Sequence, residues 1–205
     1  MKLSGLTAIV SVLVVALSAG IVAACDKPDT PTGARASATG TCLGGEGHSG
    51  SAVARVTPAP THQRARRMLA ADLSLDCFDG SGPVRLTTIT TPTVVNLWAS
   101  WCPPCQQELP AIESFARHTD GQVTVIGVDT GDTRAAAGPT ISARGLTYPM
   151  LYDRDQVLLH ALGLNALPAT LFIDGPGRVA GVYNGPALDE AHLTQLARQY
   201  LGVPR

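Results

Sequence analysis

The amino-acid sequence predicts an α/β fold, a central mixed sheet flanked by helices, with an N-terminal extension. Three observations predict it. Two nearly continuous apolar runs, TVVNLWA from Thr93 and QVTVIGVD from Gln122, suit strands buried on both faces. Between them, Pro103 to His118 places Leu109, Ile112, Phe115 and Ala116 at helical spacing on one face. Beyond them the chain keeps alternating strand-like and helix-like segments, and such alternation implies a sheet with helices on both sides.

The elements follow in order. Leu73-Ser74-Leu75 and Val84-Arg85-Leu86 read as short strands around the turn Asp79-Gly80-Ser81-Gly82. The run from Thr93, the helix Pro103 to His118 and the run to Asp129 come next. Thr133 to Arg144 reads as a helix broken at Gly138-Pro139, because proline removes a backbone donor and crowds the preceding turn. YPMLYD from Tyr148 is a short strand and Gln156 to Leu162 a short helix. ATLFID and RVAGVY flank Gly175-Pro176-Gly177 and predict a hairpin. Leu188 to Leu201 closes the chain as an amphipathic helix.

The N-terminus is a separate matter. Lys2 precedes a stretch from Leu3 to Ala24 that is apolar apart from small residues, the pattern of a secretory signal peptide. A permanent membrane helix is the alternative. Val22-Ala23-Ala24-Cys25 resembles a bacterial lipobox, in which the cysteine is lipidated, and two acyl chains there would anchor the chain stably. Asp26 to Thr61 is rich in Pro, Gly, Ala, Ser and Thr and lacks the large apolar residues that offset ordering entropy. As a flexible tether it would span roughly 30 Å. The expected organisation is a signal peptide over 1–24, a lipidated N-terminus and tether over 25–65, and one folded domain over 66–205. The expected location is outside the cell membrane, on its outer face as a lipoprotein, where disulfides persist. Net charge is −1, with only the short cluster Arg64, Arg66 and Arg67, so nucleic-acid binding has no support.

The chemistry sits in NLWASWCPPCQQELP, where Cys102 and Cys105 stand at the junction of a predicted strand and helix. Cys102 takes the N-cap position, where its sulfur can accept from the N–H of Cys105. Pro103 suits the first helical position, and Pro104 likewise supplies no N–H, so Cys105 is the first available donor. The helix end adds partial positive charge and favours a nucleophilic thiolate at Cys102. Cys105, one turn in, would be the resolving thiol. A zinc knuckle would need two more ligands, yet no second CxxC exists and no histidine lies within ten residues of the motif. A peroxidase of the peroxiredoxin type calls for Thr three residues before its cysteine, and Ala99 stands there. Neither a metal nor a cofactor is called for.

VVNLWASWCPPCQQELP resembles the active-site segment of thioredoxin-like proteins, specifically the extracytoplasmic TlpA/ResA-like thiol-disulfide oxidoreductases. The likeness runs from Leu73 to the C-terminal helix and takes in GLTYPMLYDRDQVLLHALGLNALPATLFIDGPGRVAGVYNG. It implies a thioredoxin-like fold and places Trp101, Cys102 and Cys105 at the active site. It implies that Pro168 is the cis-proline facing the cysteines, with the Leu167 backbone turned outward to pair with an extended substrate segment. Pro110 matches a proline that kinks the active-site helix, and Glu108 matches a carboxylate near the cysteines. Cytosolic thioredoxins carry a buried Asp six residues before the first cysteine. Here Asn96 stands there and cannot exchange a proton, which leaves Glu108 as the candidate for proton transfer to Cys105.

Cys42 and Cys77 remain, and in an oxidising compartment they most simply pair as a structural disulfide; an exchangeable pair relaying to the active site is the rival. The five histidines receive no role. The expected partners are proteins with disulfides, apocytochrome c among them by resemblance, and an integral-membrane thiol donor, with the chain itself a monomer. A disulfide-forming oxidase and a Cu(I)-binding thiol chaperone stay open as alternatives.

Overall fold

The computed structural model describes residues 42–43, 73–119, 121–175 and 177–203, all within the unit Ser37–Arg205. The signal peptide, the Cys25 lipidation site and most of the tether lie outside the described residues. Seven strands form one sheet in the order β2-β1-β5-β4-β3-β6-β7. They are β1 (Ser74–Cys77), β2 (Pro83–Arg85), β3 (Thr93–Trp98), β4 (Thr124–Thr130), β5 (Met150–Asp153), β6 (Ala169–Asp174) and β7 (Arg178–Tyr183). The α-helices are α1 (Pro103–His118), α2 (Arg134–Arg144), α3 (Val157–Ala161) and α4 (Glu190–Leu201).

The sheet is mixed, as expected. β3, β4 and β5 run parallel, whereas β6 pairs antiparallel with β3 and β7, and β1 with β2 and β5. Every residue of β3 is buried, which is why it reads as a continuous apolar run. Period-two alternation sends Val95, Leu97, Ile126, Val128, Leu171 and Ile173 to one face, where Leu158 and Leu159 of α3 cover them. Val94, Trp98, Val125 and Phe172 go to the other face, under Leu109, Ile112 and Phe115 of α1 and Leu193 and Leu196 of α4. Each such large side chain, fully buried, contributes about 1.5–3 kcal/mol.

Three expectations are corrected. The first strand pair shifts: β1 runs to Cys77, and Leu86 leaves β2 to open a 3₁₀ turn, Leu86–Thr88. Pro139 does not break α2, which runs unbroken from Arg134 to Arg144. Pro139 and Ala135, whose carbonyl loses its partner, are both exposed, so water takes the place of the missing donor. The last helix starts at Glu190 rather than Leu188, because Asp189 caps it by accepting from the His192 N–H at 2.7 Å.

Candidate active site

β3 delivers the chain to Ala99, and three residues later α1 begins with Cys102 at its N-cap. The Cys102 sulfur accepts from the Cys105 N–H at 3.3 Å, the arrangement the two prolines leave open. The two sulfurs form a disulfide with Cα atoms 5.3 Å apart. Cys102 is 3% exposed and Cys105 fully buried, so the outer sulfur alone offers surface to a partner. Trp101, by contrast, is 57% exposed.

The loop after β4 holds this turn in place. Ser100 N–H donates to Asp132 Oδ2 at 2.7 Å, and Trp101 Nε1 donates to the Gly131 carbonyl at 3.0 Å. Asp132 Oδ1 in turn accepts from Thr133 N–H at 2.7 Å. Gly131 has φ +65°, and a side chain there would collide with Gln156. That position favours glycine for its backbone angle, since the Gln156 side chain could move aside.

One helical turn beyond Cys105, α1 carries a carboxylate with fixed partners. Glu108 is 1% exposed; Oε1 accepts from Asn96 Nδ2 at 2.7 Å and Oε2 from the Leu188 N–H at 3.0 Å. Burial pushes its carboxyl above the ordinary range, and the two donated bonds partly oppose that. Glu108 is thus an interior group, not a solvated helix residue. Asn96 Oδ1 and Thr170 Oγ1, on paired positions of β3 and β6, are buried without a hydrogen-bond partner among the described residues. So are both carboxylate oxygens of Asp129, at the end of β4 opposite Trp98, and burial, with Asp132 nearby, pushes that carboxyl up to about 7. Sequence reasoning passed over Asp129; the one signal was an acid at the end of an apolar strand.

The Leu167–Pro168 peptide is cis. The β3–β6 pairing ends at Leu97↔Ala169, so Leu167 and Pro168 enter β6 at the same end of the sheet from which β3 leads into the cysteine turn. The Leu167 side chain packs into both cores. Its backbone N–H and C=O have no hydrogen-bond partner among the described residues.

Cys42 and Cys77 are joined by a disulfide with Cα atoms 5.9 Å apart. They pack into the core on one face of the sheet, while Cys102 and Cys105 belong to the core on the other. The sheet therefore stands between the two pairs, which weighs against a relay. Among the described residues no group of three or more His, Cys, Asp and Glu side chains is placed to hold a metal ion, and no helix is long and apolar enough to cross a membrane.

This strand-turn-helix with its cysteine pair falls inside a stretch, residues 68–182, that matches the model of the AhpC/TSA family over more than half of the chain. The chain belongs to the AhpC/TSA family. Among AhpC/TSA-like relatives, thiol-disulfide oxidoreductase ResA of Bacillus subtilis is 30% identical over 92 residues, 44% of this chain and 51% of that protein. The thiol:disulfide interchange protein DsbE homolog of Paracoccus denitrificans is 36% identical over 99 residues, 47% of this chain and 52% of that one. The match thus spans about half the length of these relatives. The solved structure of MTB dsbF superposes with a TM-score of 0.57 at 27% identity, covering 64% of this chain and 97% of the other. The fold is thioredoxin-like.

Proposed function

We propose that this protein is an extracytoplasmic thiol-disulfide oxidoreductase, tethered to the membrane, that reduces disulfides in other proteins. The observation that carries the reading is the cysteine pair at the start of α1, with the Cys102 sulfur against the Cys105 N–H. In the reduced protein the Cys102 thiolate attacks one sulfur of a substrate disulfide. The substrate S–S bond breaks, one substrate sulfur leaves as a thiolate, and a mixed disulfide forms. Cys105 then attacks Cys102, releases the second substrate thiol and closes the Cys102–Cys105 disulfide. Two electrons and two protons pass to the substrate. Glu108, one turn beyond Cys105, accepts the Cys105 proton, and burial, which raises its carboxyl above the ordinary range, favours its holding that proton. Trp101 and the Leu167–Pro168 backbone receive the substrate segment.

The resemblance to TlpA/ResA-like proteins directs this chemistry toward apocytochrome c, with an integral-membrane thiol protein returning the electrons. The signal-peptide pattern and the lipobox-like Val22 to Cys25 support a lipid anchor at Cys25 and an extracytoplasmic location. The test is trapping. Cys105→Ser removes the resolving thiol, so a substrate caught on Cys102 should persist as a mixed disulfide on a non-reducing gel and vanish with reductant. A Cys105→Ser protein that captures no partner in cells, while Cys102 is free and reduced, would contradict the reading.

A further inference from the structure

Asn184 follows β7 immediately and lies on the surface, far in sequence from the cysteines. Its side-chain nitrogen donates to two carbonyl oxygens, Ala166 O at 3.0 Å and Pro168 O at 2.8 Å. These are the carbonyls on either side of Leu167. An amide NH₂ has two hydrogens to give, and two carbonyls can only accept, so both donors are used and the orientation of the amide is fixed.

We propose that Asn184 is a positioning residue that aims the Leu167 backbone at the substrate. This rests on the oxidoreductase reading above. Ala166 C=O and Leu167 N–H belong to the same planar, trans peptide unit, so they point in opposite directions. Holding Ala166 O on Asn184 turns the Leu167 N–H away from Asn184. Asn184 stands at the end of β7, and β6 lies between β7 and β3. The direction away from Asn184 is therefore the β3 side, where Ala99 leads into Cys102. The second bond, to Pro168 O, fixes the chain where it enters β6. The Leu167 side chain is anchored in the cores below, and its N–H and C=O are without partners among the described residues. Side chain and neighbours are thus held while one donor and one acceptor stay open, as an added extended strand requires.

The substrate class follows. A polypeptide around a disulfide can use this edge, whereas a small disulfide with no peptide bond cannot. Removing the clamp should harm the first and spare the second.

The experiment is single-turnover oxidation of the reduced full chain, acid-quenched and alkylated so that the Cys102–Cys105 state is counted by mass. Insulin is the peptide substrate and dithiodipyridine the small one. Asn184→Asp keeps the shape but donates nothing; Asn184→Ala removes the group. Both should raise the insulin concentration for half-maximal rate about tenfold, the scale of one or two lost hydrogen bonds. The limiting rate with insulin, the rate with dithiodipyridine and the Cys102–Cys105 potential should change less than about twofold in rate or equilibrium constant. Asn184→Ser, with one donor left, should fall between. Equal losses on both substrates, or unchanged half-saturation by insulin in Asn184→Asp, would overturn the proposal alone. An unmodified chain inert toward both disulfides would overturn it together with the oxidoreductase reading.

Discussion

Asn96 Nδ2 donates to Glu108 Oε1 at 2.7 Å, so strand β3 and helix α1, the two elements that flank the cysteine turn, are joined by a buried amide–carboxyl contact. The other Glu108 oxygen holds the Leu188 N–H, eighty positions along the chain, and that bond draws the approach to α4 into the same site. Glu108→Ala would leave both buried donors unpaired and should cost roughly 2–5 kcal/mol of stability. Glu108→Gln can accept from only one of them and should cost less. It also cannot take up a proton, so resolution of a mixed disulfide by Cys105 should slow by about a hundredfold. Denaturant melts of the two variants check the first point, and the lifetime of the mixed disulfide with an insulin chain checks the second.

Asp129 gives a pH signature. Its carboxyl is held near 7 in the folded chain, against about 3.9 unfolded. The folded state therefore favours the protonated form. Its contribution to stability is complete below about pH 4 and is lost as pH rises through the folded value, a swing on the order of 4 kcal/mol. Asp129→Asn removes the swing. The variant should match the unmodified chain at about pH 4 and exceed its stability by a few kcal/mol at about pH 8. Parallel stability curves across that range would show that Asp129 ionises without penalty.

The Cys42–Cys77 disulfide closes a loop of sequence separation 35 and sits in the core opposite the active site. Replacing Cys42 with Ser should lower stability by roughly 4 kcal/mol, by loss of the cross-link on the unfolded chain. Insulin reduction per folded molecule should stay within about twofold. A collapse of activity in a folded Cys42→Ser protein would instead favour exchange between the two cysteine pairs.

The strand β3, the helix α1 with its bounds at Pro103 and His118, and the N-cap role of Cys102 were all legible in the sequence, because local patterning decides them. The sheet order was not. Nothing local says that β1 pairs beside β5, because the two strands lie far apart in the sequence. Pro139 misled because proline rules describe a lost donor and not whether the orphaned carbonyl faces water. Glu108 could be placed near the cysteines, but its second partner, Leu188, lies too far along the chain for any pattern to reveal. Asn184 drew no notice in the sequence; its two acceptors become visible only once β6 and β7 are folded together.

Direction of electron flow is a further expectation. The Cys102 sulfur has one backbone donor, Cys105, because Pro103 and Pro104 supply none. A helix end adds about 0.3–1 kcal/mol for an exposed charge. A strong oxidant near about −120 mV needs roughly 7 kcal/mol more stabilisation of its reduced form than thioredoxin at about −270 mV. One donor and a helix end do not supply that. Equilibration with glutathione or dithiothreitol buffers should give a potential below about −200 mV. A value near that of the strong oxidants would promote the disulfide-forming reading.

The central claim is that Cys102 attacks disulfides, and insulin reduction by the full chain with dithiothreitol as electron source tests it most directly. The unmodified protein should accelerate the reaction, and Cys102→Ser should fall to the rate of dithiothreitol alone while keeping its fold. A folded Cys102→Ser protein that still accelerates insulin reduction would contradict the account.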